Sequence, residues 1–462
     1  MTAVGMPAVE DAVLRRFLLG LAEGLNAAME SVDRIRDTMN EVARAYGRDD
    51  TDFVVLPTVI IVQTGDGESG RVALRSAVSA SFRFDQIAAL YDLVAEARTG
   101  SVDPADGIRR LNAIGAMRPA HGWVVRVFGH ALLTAGLALL LTPTWQGAVI
   151  AFGLGAVLGL AKLIRSPTLQ LVFPVVAAFV SATVVFLIAP YVPVGDPLRL
   201  LIAPLATFLP GGVLTTGTTE LAAGQMIAGA SRLVTGLVQL GLLAFGILAA
   251  GTVVGVEGDS YAPLESSGQL PWWVAAAGVL LFAVGNFLHF SAPARTFGWV
   301  LLALVVAYAA QALGAVLAGA TVSGFIGALA VTPLVLWIAT LRHGAPSQLT
   351  FLPAFWLLVP GAAGLLGLTE VIGTDRGAED FASALTSVMS IALGVLIGTA
   401  LFRFVHRGAE ELATFHIEVP ARALEVARPS FWAGLFRRVR PGKRGARPRA
   451  AAQDAPPAEP SG

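Results

Sequence analysis

Cysteine is absent from the chain, so no disulfide framework, iron–sulfur cluster or thiol nucleophile belongs to its chemistry. Charge is scarce as well: 14% of the residues are Asp, Glu, Lys or Arg, where a soluble domain carries roughly a quarter. With 55% hydrophobic residues and a mean hydropathy of +0.70, that scarcity excludes an ordinary soluble globular protein. The 32 basic and 32 acidic residues cancel, and no net field points to a nucleic-acid partner. Catalytic signatures are missing too. There is no Gly-x-x-x-x-Gly-Lys-Ser/Thr phosphate loop, no His-Glu-x-x-His metal helix and no Gly-x-Ser-x-Gly elbow, and Gly153-x-Gly155 lies inside an apolar run. The expectation is a protein that is no enzyme, holds no metal or cofactor, and draws any energy it uses from a gradient.

What is present is a crowd of long apolar runs between Trp123 and Phe404. At about 20 residues per span they predict an α-helical polytopic membrane protein with ten spans, near 123–142, 145–162, 169–189, 199–217, 232–255, 272–291, 297–317, 322–341, 350–368 and 383–404. With a cytoplasmic N-terminus, Arg109, Arg110, Arg118, Lys162, Arg165, Arg232, Arg295, Arg342, Arg403 and Arg407 fall inside and only Arg199 and Arg376 outside. The outer loop Val256–Leu270 holds Glu257, Asp259 and Glu265 and no basic residue, so the positive-inside rule puts both ends in the cytoplasm of a cell whose inner membrane holds the chain.

Met1–Gly20 has no apolar run and carries Glu10, Asp11, Arg15 and Arg16, unlike a signal peptide. Residues 1–118 are expected to form a small cytoplasmic α+β domain. Apolar residues from Val13 to Tyr46 recur at helical spacing, as one long helix or two short ones. The β-branched run Phe53–Gln63, interrupted at Pro57 and closed by Thr64-Gly65-Asp66-Gly67, suggests a strand and turn; a helix follows from Phe84 to Arg98, and Ser101-Val102-Asp103-Pro104 opens another. Asp33, Asp37 and Glu41 share a solvated helix face. The tail, 407–462, is basic and then Ala/Pro-rich and reads as disordered.

Laying the membrane region on itself exposes a repeat. Pro210-Gly211 recurs as Pro360-Gly361, Gly217 as Gly367, and Thr219-Glu220-Leu221 as Thr369-Glu370-Val371, an offset of 360 − 210 = 150 shared by Trp123 and Trp273 and by Pro143 and Pro293. Two five-span halves, 119–268 and 269–406, are implied. Five is odd, so the second half enters in the opposite sense, an inverted repeat of the kind secondary transporters build around a central site.

The repeated element is itself informative. In Leu209-Pro-Gly-Gly-Val-Leu-Thr-Thr-Gly-Thr-Thr-Glu220, proline and glycines break a helix at membrane depth, and freed backbone groups beside threonine hydroxyls suit a small zwitterion. Pro210, Gly211, Thr215, Thr216, Gly217, Thr218 and Thr219, with Pro360, Gly361 and Gly367 in the second half, are the candidate substrate-binding residues. Glu220 and, with less weight, Glu370 are candidates for carrying a proton; alternatively Glu220 sits at headgroup level and caps a helix N-terminus. Arg126 and His130 lie one turn apart in the first span, Arg126 reading as a snorkelling side chain. Asn286, His289 and Gln311 read as inter-helical hydrogen-bond partners, and Gly155 and Gly159 as packing contacts.

The segment Pro210–Leu233, preceded by Ser31-Val-Asp-Arg-Ile-Arg-Asp-Thr-Met39, resembles the bacterial threonine/serine exporter family, and the likeness runs over nearly the whole chain. Pro210, Gly211, Leu214, Thr215, Glu220, Gly224, Gly229 and Arg232 carry it. Thr216, Thr219 and Gln225 stand where many members have an amide, a base and an acid, and Ala362-Ala363-Gly364-Leu365-Leu366 replaces a usual Arg-Gly stretch. The resemblance implies efflux of threonine and serine driven by protons, with the amino acid, protons and the lipid bilayer as partners and assembly of identical copies left open. The alternatives are a dicarboxylate exporter, as in split relatives, and a membrane sensor or scaffold working through residues 1–118.

Overall fold

The computed structural model of the chain describes residues 8–65, 70–76, 81–142, 144–164, 166–256, 271–358 and 377–407, with Leu365, Leu366 and Thr369. Pro143, Pro360, Gly361, Gly367, Glu370, the 257–270 loop and the 408–462 tail lie outside the described residues.

The N-terminal apolar pattern folds as two helices, α1 (Ala8–Ala27) and α2 (Val32–Ala45), joined by a corner in which Met29 takes a left-handed φ of 64°. The run at 51–64 is a hairpin rather than a strand and turn: β1 (Thr51–Val55) pairs antiparallel with β2 (Val59–Thr64), Phe53 opposite Val62, and Pro57 sits in the connection where its missing N–H costs no ladder bond. A third strand, β3 (Arg71–Ser76), pairs with β2. The helix α3 (Phe84–Ala97) follows, and α4 (Pro104–Gly115) starts where the Asp103 carboxylate accepts the Asp106 N–H at 2.9 Å. Phe17, Leu21, Ile35, Met39, Ile60 and Leu90 are fully buried in the core these elements share, each such side chain worth about 1.5–3 kcal/mol of burial.

The rest is helical: α5 (Trp123–Leu141), α6 (Trp145–Ala161), α7 (Pro167–Ile188), α8 (Pro197–Leu205), α9 (Gly211–Ala222), α10 (Met226–Val254), α11 (Trp272–His289), α12 (Phe297–Ala318), α13 (Ala320–Thr340), α14 (Ser347–Leu358) and α15 (Gly377–Arg407). Among the described residues, five helices are long and apolar enough to cross a membrane, or six if the bent α8–α9 pair is one span. Trp145–Ala161, Val172–Ile188, Trp273–His289 and Ser347–Leu358 are shorter apolar helices. The chain is a mostly helical membrane protein.

Two features position the site. First, α5 and α11 pack antiparallel along glycines: a Cβ on Gly285 would fall 2.2 Å from the Leu133 nitrogen, and one on Gly136 would fall 2.5 Å from the Phe282 nitrogen and 2.7 Å from the Gly278 oxygen. Only glycine lets the backbones meet there. Second, α8 passes through a 3-10 turn, Ala206–Phe208, and the chain bends by 69° into α9. Pro210 has no N–H to continue the ladder, and its carbonyl instead accepts the Leu214 N–H at 2.8 Å, opening the new helix.

Candidate functional site

α9 presents the sequence-predicted residues in three different situations. Thr218 and Thr219 turn back on their own helix, donating to Leu214 O at 2.9 Å and Thr216 O at 2.8 Å. Thr215 is 1% exposed, and its hydroxyl has no hydrogen-bond partner. Thr216 is half-buried. Gly217 faces α10: a Cβ there would sit 3.0 Å from Gly229 O, and one on Gly229 would sit 2.5 Å from Gly217 O. The two glycines let the antiparallel limbs of the α9–α10 hairpin cross closely, and the turn between them uses Gly224 at φ +80°.

That hairpin brings Arg232 to Glu220. The guanidinium Nε donates to Glu220 Oε2 at 3.0 Å, and both side chains are buried. The other carboxylate oxygen, Oε1, accepts the backbone N–H of Val32 at 3.0 Å. Val32 is the first residue of α2, whose own N-cap, Ser31, makes no side-chain cap bond. Glu220 therefore caps a helix N-terminus, where its charge also faces the positive end of the helix dipole. Of the two roles open to Glu220 in the sequence, the capping contact is the one present in this geometry, made to a helix of the N-terminal region.

The α1–α2 corner is held from the other side as well. Glu30, 4% exposed, accepts from Gln348 Nε2 of α14 at 2.9 Å, lies 3.5 Å from Arg34 Nε, and receives the Tyr91 hydroxyl. Its carbonyl lies 3.5 Å from the Arg232 guanidinium. Burial pushes the Tyr91 phenol well above its ordinary range and the Glu30 charge adds to this, so the phenol keeps its proton and donates it. Glu30 likewise raises Arg34, which donates to Ser347 Oγ at 3.4 Å. A second contact stacks Phe84 on Phe290, with ring centroids 4.9 Å apart, and Phe290 on Trp356, 5.0 Å apart. Residues 30–32 thus touch α9, α10 and α14 together.

Other polar side chains divide. Arg126, half-buried, donates to His289 O at 3.3 Å. His289 Nδ1 meets Arg126 O at 2.9 Å, and Gln311 donates to Leu358 O at 3.3 Å, both across helices as expected. Asn286 does not follow: its amide donates to Phe282 O of its own helix, leaving Oδ1 without a partner. Gly155 and Gly159 pack against Thr134 and His130 as packing residues do. Among the described residues no group of three or more His, Asp or Glu could hold a metal. Glu30, Gln348, Lys162 and Thr207 are polar members of these networks that the sequence alone did not single out. Their neighbours in sequence carry no signal for these contacts, which join Lys162 to Thr207 across 45 positions and Glu30 to Gln348 across 318.

The family model described as "Putative threonine/serine exporter" matches residues 16–254, just over half of the chain. It describes a transporter family, not an enzyme family. No curated protein and no solved structure matches the chain. The matched stretch contains the corner at Glu30–Val32, the break at Pro210 and the Glu220–Arg232 pair, all brought together in the geometry above. The chain belongs to the threonine/serine exporter family.

Proposed function

We propose that the protein is a secondary transporter that exports small polar amino acids, threonine and serine, across the cytoplasmic membrane by proton antiport. The observation that carries this reading is the 69° break at Leu209–Pro210, followed one turn later by the buried and unpartnered Thr215 hydroxyl. A broken helix in a membrane protein is tolerated where it faces a cavity or a ligand, and an orphan buried hydroxyl is offset when a ligand reaches it. In this reading Pro210 and Gly211 free the backbone, Thr215 and Thr216 meet the cargo, and Gly217, Thr218 and Thr219 shape the helix that presents them. Pro360, Gly361 and Gly367 play the matching part in the second half.

The architecture we infer has ten spans in two inverted halves, 119–268 and 269–406, a cytoplasmic domain over 1–118 and a tail over 407–462, with both termini inside and the bilayer around the helices. The α5·α11 seam supports the inversion. Gly129 lies against Gly285 and Gly136 against Gly278; 278 − 129 = 285 − 136 = 149, one residue short of the repeat offset of 150, so each glycine of one antiparallel first span meets the equivalent of the other, as a pseudo-two-fold axis between the spans requires.

Proton coupling falls to Glu220, with Glu370 as its counterpart. Protonating Glu220 removes the charge that pairs with Arg232 and faces the α2 N-terminus, loosening the N-terminal region from α9 and α10 in the same step. Efflux of labelled threonine, serine and succinate from preloaded cells, with and without a protonophore, tests this. Protonophore-sensitive loss of threonine or serine that Glu220→Gln lacks is expected. A variant that keeps both the flux and its pH dependence removes Glu220 from the mechanism.

A further inference from the structure

On the far side of the helix break from the Glu220–Arg232 pair, Lys162 at the end of α6 turns its ammonium inward. It donates to Thr207 Oγ1, in the 3-10 turn just before the bend, lies 3.3 Å from His130 Nε2, and sits 4.3 Å above the Phe208 ring. His130 is fully buried, and its Nδ1 meets Gly155 O at 2.7 Å. A carbonyl only accepts, so Nδ1 carries the proton of the neutral ring, and Nε2 is left as an acceptor facing Lys162 and, at 3.2 Å, Thr207. The His289 ring stacks edge-on against His130 with centroids 4.7 Å apart, and Arg126 backs it from α5. The groups that converge on Lys162 from α5, α11 and the 3-10 turn are thus neutral acceptors, a ring face or further bases. No described carboxylate lies within 4.0 Å of Lys162, His130 or His289.

An ammonium withdrawn from water and met by neutral acceptors is costly unless an anion joins it. Two of its three N–H donors are used, and among the described residues the third finds only the Phe208 ring. Lys162 and Thr207 are half-buried, whereas His130 beneath them is fully buried. We propose that Lys162, oriented by His130 and Thr207, binds the carboxylate of the cargo at the helix break. This assignment rests on the exporter reading and adds the group that recognises the acid end of a small amino acid or dicarboxylate. Thr215, beyond the bend, is left for the cargo's polar side chain.

The full chain, purified in detergent, is titrated with L-threonine, succinate and L-threoninol while its melting is followed, and is reconstituted for flux of the first two. L-Threoninol keeps the ammonium and hydroxyl and lacks the carboxylate. Expected are binding of threonine or succinate but not threoninol, a rise of about tenfold or more in apparent Kd and KM for Lys162→Met with kcat moving less, a smaller rise for Lys162→Arg, and a ligand-free Lys162→Met that melts no lower than wild type. A lysine that only holds the fold would lower the melting point and leave threoninol and threonine equal. If Lys162→Met does not fold, Thr207→Val carries the test, with a several-fold rise expected. Unchanged affinity and KM in the lysine and threonine variants overturn the proposal while wild-type threonine flux keeps the exporter reading. Lys162-dependent binding of succinate alone, without amino-acid flux, keeps the site and overturns threonine/serine export. Absence of any carboxylate binding to wild type overturns the site.

Discussion

Arg232 is the most exacting place to test how the N-terminal region is held. Its guanidinium meets Glu220 at 3.0 Å with both side chains buried, and Glu220 has one other partner, the Val32 N–H at 3.0 Å. Arg232→Met keeps most of the aliphatic volume and removes the positive charge, leaving a carboxylate buried with one backbone donor. Removing one partner of a buried ion pair costs about 3–5 kcal/mol. Glu220→Gln also leaves a charge stranded, that of Arg232, but retains an acceptor for Val32. The double variant, Glu220→Gln with Arg232→Met, strands no charge, so its cost falls below the sum of the singles, with a coupling energy of about 1–3 kcal/mol. Denaturant unfolding of the full chain in detergent, followed by its tryptophans, measures all four corners of the cycle. Because the chain has no cysteine, a pair of thiols placed at Asp92 and Arg295, whose side chains meet at 2.6 Å across the same junction, can carry spin labels that report its separation. Arg232→Met should lengthen and broaden that distance, and the double variant should restore much of it. Additive losses, or an Arg232→Met protein as stable as wild type, would refute the argument that the pair closes the junction.

The glycine seam gives a sharper steric prediction. Gly285→Val places a Cβ against the Leu133 backbone, which cannot rotate aside, and is expected to cost at least about 1–3 kcal/mol and to abolish a monodisperse size-exclusion peak; Gly153→Val, where a Cβ meets nothing within 4 Å, leaves the peak unchanged. Tyr91 supplies the pH test. Its folded-state phenol lies well above the ordinary value of 10.0, so its contribution to stability is complete below about pH 10 and is lost as the pH rises through the higher folded value. An ultraviolet titration of wild type minus Tyr91→Phe should show a phenol ionising after the exposed ones, and a difference curve centred near the ordinary value would contradict the buried Tyr91–Glu30 contact.

Helix ends and the break were legible because they depend on neighbours in sequence. Pro210 cannot donate to the preceding turn, Asp103-Pro104 starts a helix, and the apolar runs begin within a few residues of where α5, α6, α7, α11 and α12 begin. The extra strands were harder to read. β3 carries Val72 and Leu74 outward, at 61% and 67% exposed, so its apolar residues do not mark a buried face. The site was legible in its residues but not in its pairings. Glu220 stood out as an acid beside a broken helix, yet its partners are Arg232, across a hairpin, and an amide 188 residues earlier. Lys162 read as a basic residue at the inner end of a span, since nothing local announces that its side chain turns toward Thr207, 45 residues on. Periodicity describes which face is buried, and says nothing of which buried groups meet.

The cap on α2 also sets an order of events during synthesis. Val32 leaves the ribosome long before Glu220, and at about 5–20 residues per second the intervening 188 residues take roughly 10–40 s to be made. Through that interval the first turn of α2 lacks the carboxylate that caps it in the folded chain. The contact between α2 and the α9–α10 hairpin therefore forms only after residue 220 has been made. A carboxylate supplied from α9 thus completes a helix end made 188 residues earlier, so that contact closes only with the α9–α10 hairpin in place.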